Sequence, residues 1–245
     1  MKHHTPRFLL RRYQVLKRTK KGNHFLEIGP GSLNLTEDLL KQYTQGTLVE
    51  YNPYVQEIYN GLEKSIRKRL HLVVEDFMRF TSDSKYDCII ACEVMEHVEH
   101  DLVFLRKIYT LLNDRGHVIL SVPARRKYWA MDDEIVGHYR RYEEKEITEM
   151  LVQENFKDIR IISYGFPFIN MLRWPRIILA HVQAKNGLNL SIETRSKRSG
   201  ISPAGRVLKL FGFLLNKYTV YPLCLISSLF NGYDLSDGYI VTAEK

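Results

Sequence analysis

Gly29 and Gly31 enclose Pro30 directly behind a short apolar run, and two carboxylates, Glu50 and Asp76, follow at the ends of the next two such runs. A ligand comes close to a strand-to-helix turn only where side chains are absent, and the helix behind the turn offers free N–H groups. A carboxylate ending the second strand can accept hydrogen bonds from both hydroxyls of a ribose, as in dinucleotide folds. One after the third strand, in Val74-Glu75-Asp76-Phe77, can accept from an adenine amino group with Phe77 against the ring. Taken singly, the glycine turn is also what an ordinary tight turn looks like, and each acid what a solvated loop carboxylate looks like. Their joint placement at successive strand ends points to a nucleoside-type ligand. A hydride-carrying dinucleotide fits less well, because G-x-G-x-x-G needs glycine at position 34, which is Asn34.

A second group of reactive side chains lies in Trp129–Tyr142, with Asp132, Asp133 and the run Gly137-His138-Tyr139-Arg140-Arg141-Tyr142. Such a run can bind an anionic acceptor and supply a base, since neutral imidazole titrates near pH 6.5 and suits proton removal from a hydroxyl. The alternative is structural: an arginine pair that clamps Asp132 and Asp133, because ion pairs also cluster in loops. His138 is the candidate base, with Tyr139 and Arg141 beside it. His97 is a second candidate, for which a structural or cofactor-side role is the competing reading. No His, Cys or Asp cluster has metal-like spacing, so no metal is expected.

These residues need strands and helices to hold them. Helical spacing of Phe8, Leu9, Tyr13 and Leu16 predicts an amphipathic helix over residues 6–20. Strands are expected at His24–Ile28, Thr47–Glu50, Leu70–Val74, Tyr86–Ala91, His117–Val122, Lys157–Tyr164 and Gly238–Ala243. Helices are expected at Leu33–Tyr43, Val55–Lys68, Leu102–Leu112 and Lys145–Glu154, with a turn at Asn113–Gly116. Strands alternating with helices at this pitch predict one α/β domain over the whole chain, with a mostly parallel seven-stranded sheet covered by helices on both faces. Residues 166–232 interrupt the alternation and read as a helical insertion before the last strand. Within it, Val207–Phe230 is apolar but broken by Lys217 and Pro222, so it is no membrane span; it suits a bilayer interface, a lid over the site, or helices packed on the core.

Phe25-Leu-Glu-Ile-Gly-Pro-Gly31 resembles the first motif of class I S-adenosylmethionine-dependent methyltransferases, which have a Rossmann-like fold. Tyr86–Val98 and Leu111–Pro123 are similar to the fourth and fifth motifs of their type 11 (ubiquinone/menaquinone-like) group, and the likeness spans residues 24–165. One departure is Leu33, where the family often has a third small residue. The resemblance implies that Glu27, Gly29 and Gly31 line the methionine end of the cofactor and that Glu50 holds the ribose beside Tyr51 and Asn52. It also implies that Asp76 and Phe77 frame the adenine while Cys92 and Glu93 border the sulfonium. S-adenosylhomocysteine would be the product. Trp129–Tyr142 resembles small methyltransferases of glycolipid, polysaccharide and lipid-intermediate pathways, which points to O-methylation of a small or lipid-linked acceptor, with carboxyl and nitrogen acceptors left open. Methylation of nucleic acid and a non-catalytic cofactor-binding scaffold are the other readings. Exocyclic-amine DNA methyltransferases usually carry Asn/Asp-Pro-Pro-aromatic where this chain has Ala91-Cys92-Glu93-Val94, which argues against a nucleic-acid acceptor.

Of 245 residues with a net charge of +8, the segments 1–21 and 171–220 each carry +8, so the remainder is acidic. Basic patches attract phosphates, which predicts an anionic lipid acceptor or membrane surface as partner, a plain solvated face being the alternative. Three cysteines, Cys88, Cys92 and Cys224, have no framework spacing, and with no secretory signal in view they suit a reducing, cytoplasmic setting.

Overall fold

Runs that are apolar on both faces can be buried only in the middle of a sheet. The computed structural model, which describes residues 5–184 and 220–245, places them there. In chain order the strands are β1 (Gly22–Ile28), β2 (Tyr43–Glu50), β3 (Leu70–Val74), β4 (Tyr86–Cys92), β5 (Leu112–Pro123), β6 (Lys157–Ser163) and β7 (Gly238–Glu244). They form one seven-stranded Rossmann-like sheet in the order β3-β2-β1-β4-β5-β7-β6. All neighbours are parallel except β7, which runs antiparallel to β5 and β6. From β1 the strand order runs outward through β2 and β3 on one side and through β4 and β5 on the other. That reversal opens a crevice beyond the carboxyl ends of β1 and β4, where such sheets bind ligands.

Helices cover both faces. On one, Phe104, Leu105 and Ile108 of α5 (Asp101–Leu111) and Ile147 and Leu151 of α7 (Glu144–Gln153) pack on Ile89, Ala91, Val118 and Leu120 of the sheet. On the other, Leu9, Leu10 and Val15 of α1 (Pro6–Arg18) and Cys224 of α9 (Tyr221–Ser228) pack with Phe25, Cys88, Ile90 and Ile119. Thr5 caps α1 by accepting the Phe8 N–H, Pro6 opens it, and Lys17 and Arg18 end it, each as the helix termini favour.

Several expected boundaries move. The helix expected from Leu33 reduces to α2 (Thr36–Leu39): Leu33 has φ +56 and is fully buried, while Tyr43 opens β2. The helix expected over 55–68 breaks at Gly61 into α3 (Val55–Asn60) and α4 (Lys64–Arg67). Residues 113–116, expected as a turn, lie within β5, where the register on β4 slips between Tyr86 and Cys88. The 129–142 loop contains α6 (Met131–Val136), closed by Gly137 at φ +81. In the insertion, α8 (Phe168–Ala184) and α9 are helical, whereas 207–219 of the expected 207–230 segment lies outside the described residues. Among the described residues no helix is long and apolar enough to cross a membrane.

Candidate active site

A cavity of about 160 Å³ opens at the crevice, lined among others by Gly29, Gly31, Glu50, Tyr51, Asn52, Asp76, Phe77, Glu93 and His97. The glycines leave it empty of side chains. Gly29 and Gly31 adopt φ +67 and +52, and a Cβ on Gly29 would stand 2.6 Å from Val94 Cγ2. Glu50 closes the turn from the far side: its two carboxylate oxygens accept the Gly31 N–H at 3.0 Å and the Asn52 N–H at 2.9 Å. Asp76 accepts the Met78 N–H at 2.8 Å, which turns the chain after β3, and Phe77 packs edge-on against Phe104 with ring centres 5.2 Å apart. A side-chain-free turn, a carboxylate and an aromatic wall suit the parts of S-adenosylmethionine.

Two residues expected in this cavity lie outside its lining. Glu27 is buried, and its carboxylate accepts the Thr36 hydroxyl at 2.6 Å; burial raises it to about 7, with Thr36 opposing and Glu50 adding to the rise. Cys92 packs on the α1 side of the sheet, because β4 alternates its side chains between faces, and burial lifts its thiol to about 12.

Glu93 lines the cavity and also meets α1. It sits at φ +56, outside the range non-glycine residues favour, and the bend turns its carboxylate under α1. There it accepts the Ser121 hydroxyl at 2.7 Å and pairs with Arg7 at 3.1 Å and Arg11 at 3.4 Å. Burial alone would raise its pKa, but the two guanidinium charges and the Ser121 bond hold it far below the usual range. Arg7 also bridges to Asp237 before β7. The arginines of α1, read from sequence as a basic face for a membrane, therefore turn inward: Arg7 and Arg11 to Glu93, Arg12 to Asp38. A half-buried carboxylate at the end of β4 favours a cation beside it, and nothing in the spacing along the chain marked Arg7 and Arg11 for that place.

The second constellation stands beside the cavity. His138 Nδ1 lies 2.8 Å from Asp133 Oδ1, and Asp133 Oδ2 accepts the Arg141 Nε–H at 2.9 Å. Burial alone would raise Asp133, but the His138 bond and the Arg141 charge hold it below its ordinary range, so Nδ1–H donates and Nε2 is left as the free nitrogen. Arg141 is 1% exposed and also donates to the carbonyls of Ala124 and Asp237. For Arg141 this is the geometry of the structural clamp. Arg140 pairs with Asp101 in the same manner. Tyr139 is exposed and, with Arg126, Trp129, Arg140 and Arg141, lines a separate surface hollow.

His97 joins the two constellations. It lines the cavity, its Nδ1 is 3.1 Å from the Gly137 carbonyl, and its ring meets that of His138 edge to face at 4.8 Å. Burial and then His138 push it down to about 4, so it is neutral. Glu96, which sequence reasoning passed over, is fully buried beside them with its Oε1 3.7 Å from His138 Nε2. The fold brings Glu96 and His97 to His138 from a distant loop, a proximity that spacing along the chain does not record.

A family model described as a methyltransferase domain matches residues 1–161. No curated protein matches the sequence. Among solved structures, phosphoethanolamine N-methyltransferase 2 of Haemonchus contortus, in complex with S-adenosyl-L-methionine, is 15% identical. The alignment covers 97% of this chain and 52% of that one, with a TM-score of 0.58, so this chain spans about half its length. The [4+2]-cyclase SpnF is 16% identical over 97% of this chain and 80% of its own, with a TM-score of 0.60. A putative methyltransferase of Bacillus halodurans is 13% identical over 97% and 98%, with a TM-score of 0.56. Likenesses at this identity carry the fold, and the cyclase among them means that the fold does not dictate the reaction.

Proposed function

The chain belongs to this family of methyltransferase domains, and on that premise we propose that it methylates a hydroxyl of a small or lipid-linked acceptor. S-adenosylmethionine is the cofactor; when bound, it supplies the methyl group for an in-line displacement. Glu50 receives the ribose hydroxyls, Asp76 and Phe77 frame the adenine, and Gly29 and Gly31 give the methionine part its space. Glu93, kept charged by Arg7 and Arg11, borders the sulfonium end as part of the cavity lining. The observation that carries the choice of a hydroxyl is the Asp133–His138 pair, which leaves Nε2 free beside the cavity, where a hydroxyl proton must be taken up or directed.

The lipid-linked part, like the narrower type 11 likeness, rests on the sequence resemblance and on two further features. Segment 171–220 is strongly basic. Along α8, Met171, Trp174 and Ile178 fall on one stripe and are 71, 68 and 63% exposed, which suits an apolar acceptor or bilayer interface. The test is product formation from labelled S-adenosylmethionine and a lipid extract, read by mass. His138→Ala lowers turnover about 10²–10⁴-fold with cofactor affinity nearly unchanged. A loss under about threefold with the true acceptor would sink the role of His138.

A further inference from the structure

Glu96, His97 and His138 bring one carboxylate and two imidazoles to a single point, with ligand atoms all within 4.8 Å of one another. Glu96 is fully buried, and among the described residues neither of its carboxylate oxygens has a hydrogen-bond partner. Buried polar atoms are almost always satisfied, so two orphaned oxygens on one side chain leave an unfilled position beside it. The neighbouring arginines are committed elsewhere: Arg7 and Arg11 to Glu93, Arg141 to Asp133. At 3.7 Å, His138 Nε2 is too far from Glu96 to fill the role by a hydrogen bond.

The histidines are oriented as metal ligands are. A ligating imidazole typically gives its other ring N–H to a carbonyl or a carboxylate, which fixes ring and tautomer. His97 does so through Nδ1 to the Gly137 carbonyl, and His138 through Nδ1 to Asp133. Both Nε2 atoms are then lone-pair donors. We propose that Glu96, His97 and His138 form a binding site for one divalent first-row transition cation, with its open positions toward the cofactor cavity.

Bonds of about 2.0–2.2 Å set ligand atoms roughly 3–4 Å apart, so side-chain shifts on the order of 1 Å close the present arrangement. Two imidazoles and one carboxylate suit Mn²⁺, Fe²⁺, Co²⁺ or Zn²⁺ better than Mg²⁺ or Ca²⁺, which favour oxygen ligands. His97 belongs to the cavity wall, which puts the cation at its edge. Its role, though not its binding, rests on the methyl-transfer reading above. The cation orients the acceptor hydroxyl and eases its ionisation. While the cation is bound, Nε2 of His138 holds it and the proton leaves to solvent as the O–CH₃ bond forms and the S–CH₃ pair returns to sulfur; the base role given to His138 above then applies to the cation-free protein.

The experiment uses the full chain, freed of metal by chelation and titrated calorimetrically with Zn²⁺, Mn²⁺ and Mg²⁺, with S-adenosylhomocysteine in parallel. One equivalent of Zn²⁺ or Mn²⁺ binds, at least about tenfold tighter than Mg²⁺. Glu96→Gln and His138→Ala each weaken it at least about tenfold, while S-adenosylhomocysteine affinity, the sign of a folded cavity, stays within about threefold. No stoichiometric binding, or binding that survives both substitutions, overturns the site. Should either variant fail to fold, Co²⁺ in the unaltered protein decides: two paramagnetically shifted histidine N–H protons support the site, and their absence overturns it. Cation binding without any methylated product would leave the site standing and count against the methyl-transfer reading alone.

Discussion

Glu50 holds Gly31 and Asn52 by their backbone N–H groups as well as facing the space assigned to the ribose. Its loss therefore acts twice. Hydrogen bonds to a charged acceptor contribute about 1.5–3 kcal/mol each. Glu50→Ala accordingly weakens S-adenosylhomocysteine binding by about ten- to hundredfold or more, and it also loosens the glycine turn. Gly29→Ala meets Val94 and a left-handed φ together, so it lowers both cofactor affinity and stability. Calorimetry and urea denaturation separate the two effects, and unchanged affinity in both folded variants would remove the cavity assignment. Glu27 makes a pH-dependent contribution. Its native pKa of about 7 lies above the unfolded value near 4.3, so the native state holds this proton more tightly. The associated stability is full below about pH 4 and is lost as pH rises through about 7, a change on the order of 3 kcal/mol. Glu27→Gln flattens that slope in cofactor-free protein; identical urea midpoints against pH for both proteins would contradict it.

At the scale of elements, α1 is joined to the site by charge as well as by packing. Leu9, Leu10 and Val15 bury its apolar side, and Arg7 and Arg11 reach Glu93 at the end of β4. Removing the cations leaves a largely buried carboxylate uncompensated, which destabilises more than removing the carboxylate and its partners together. A double-mutant cycle with Arg11→Met and Glu93→Gln is expected to give a coupling of about 0.5–3 kcal/mol by urea denaturation. Additive effects would mean that α1 is held by its apolar face alone. The same logic explains the misplaced boundaries. The 33–43 pattern is helical in spacing, but Leu33 takes φ +56 to enter the core and Tyr43 is drawn into β2. Tertiary burial there overrides local periodicity.

The whole molecule joins an acidic remainder to two basic segments, and three arginines of the first are engaged by carboxylates of the fold. Arg7, Arg11 and Arg12 are engaged by Glu93 and Asp38, so the salt-sensitive attraction to anionic lipid falls mainly to segment 171–220. Each Lys or Arg near an anionic surface contributes about 1 kcal/mol, screened by salt, while the exposed stripe of α8 adds a salt-resistant part. Co-sedimentation with anionic vesicles is expected at low salt, partly retained at high salt and reduced by Met171→Ser with Trp174→Ser. Negligible binding to anionic and neutral vesicles at both salt levels would leave α8 and its surroundings as a lid and withdraw the lipid-linked acceptor.

The sequence by itself determined the seven strands, their α/β alternation and many of the residues that line the crevice. Those features are written locally: burial on both faces makes a strand apolar, and a turn that admits a ligand must be glycine. Gly29, Gly31, Glu50, Asp76 and Phe77 could be placed because each follows a strand whose carboxyl end the fold directs to one crevice. Only the tertiary structure decided what the charged residues do. Arg141 became a clamp, Arg7 and Arg11 became the partners of Glu93, and Glu96 met His138 across the loop. A charge acts through whatever lies a few ångströms away in space, and no periodicity along the chain records that neighbour.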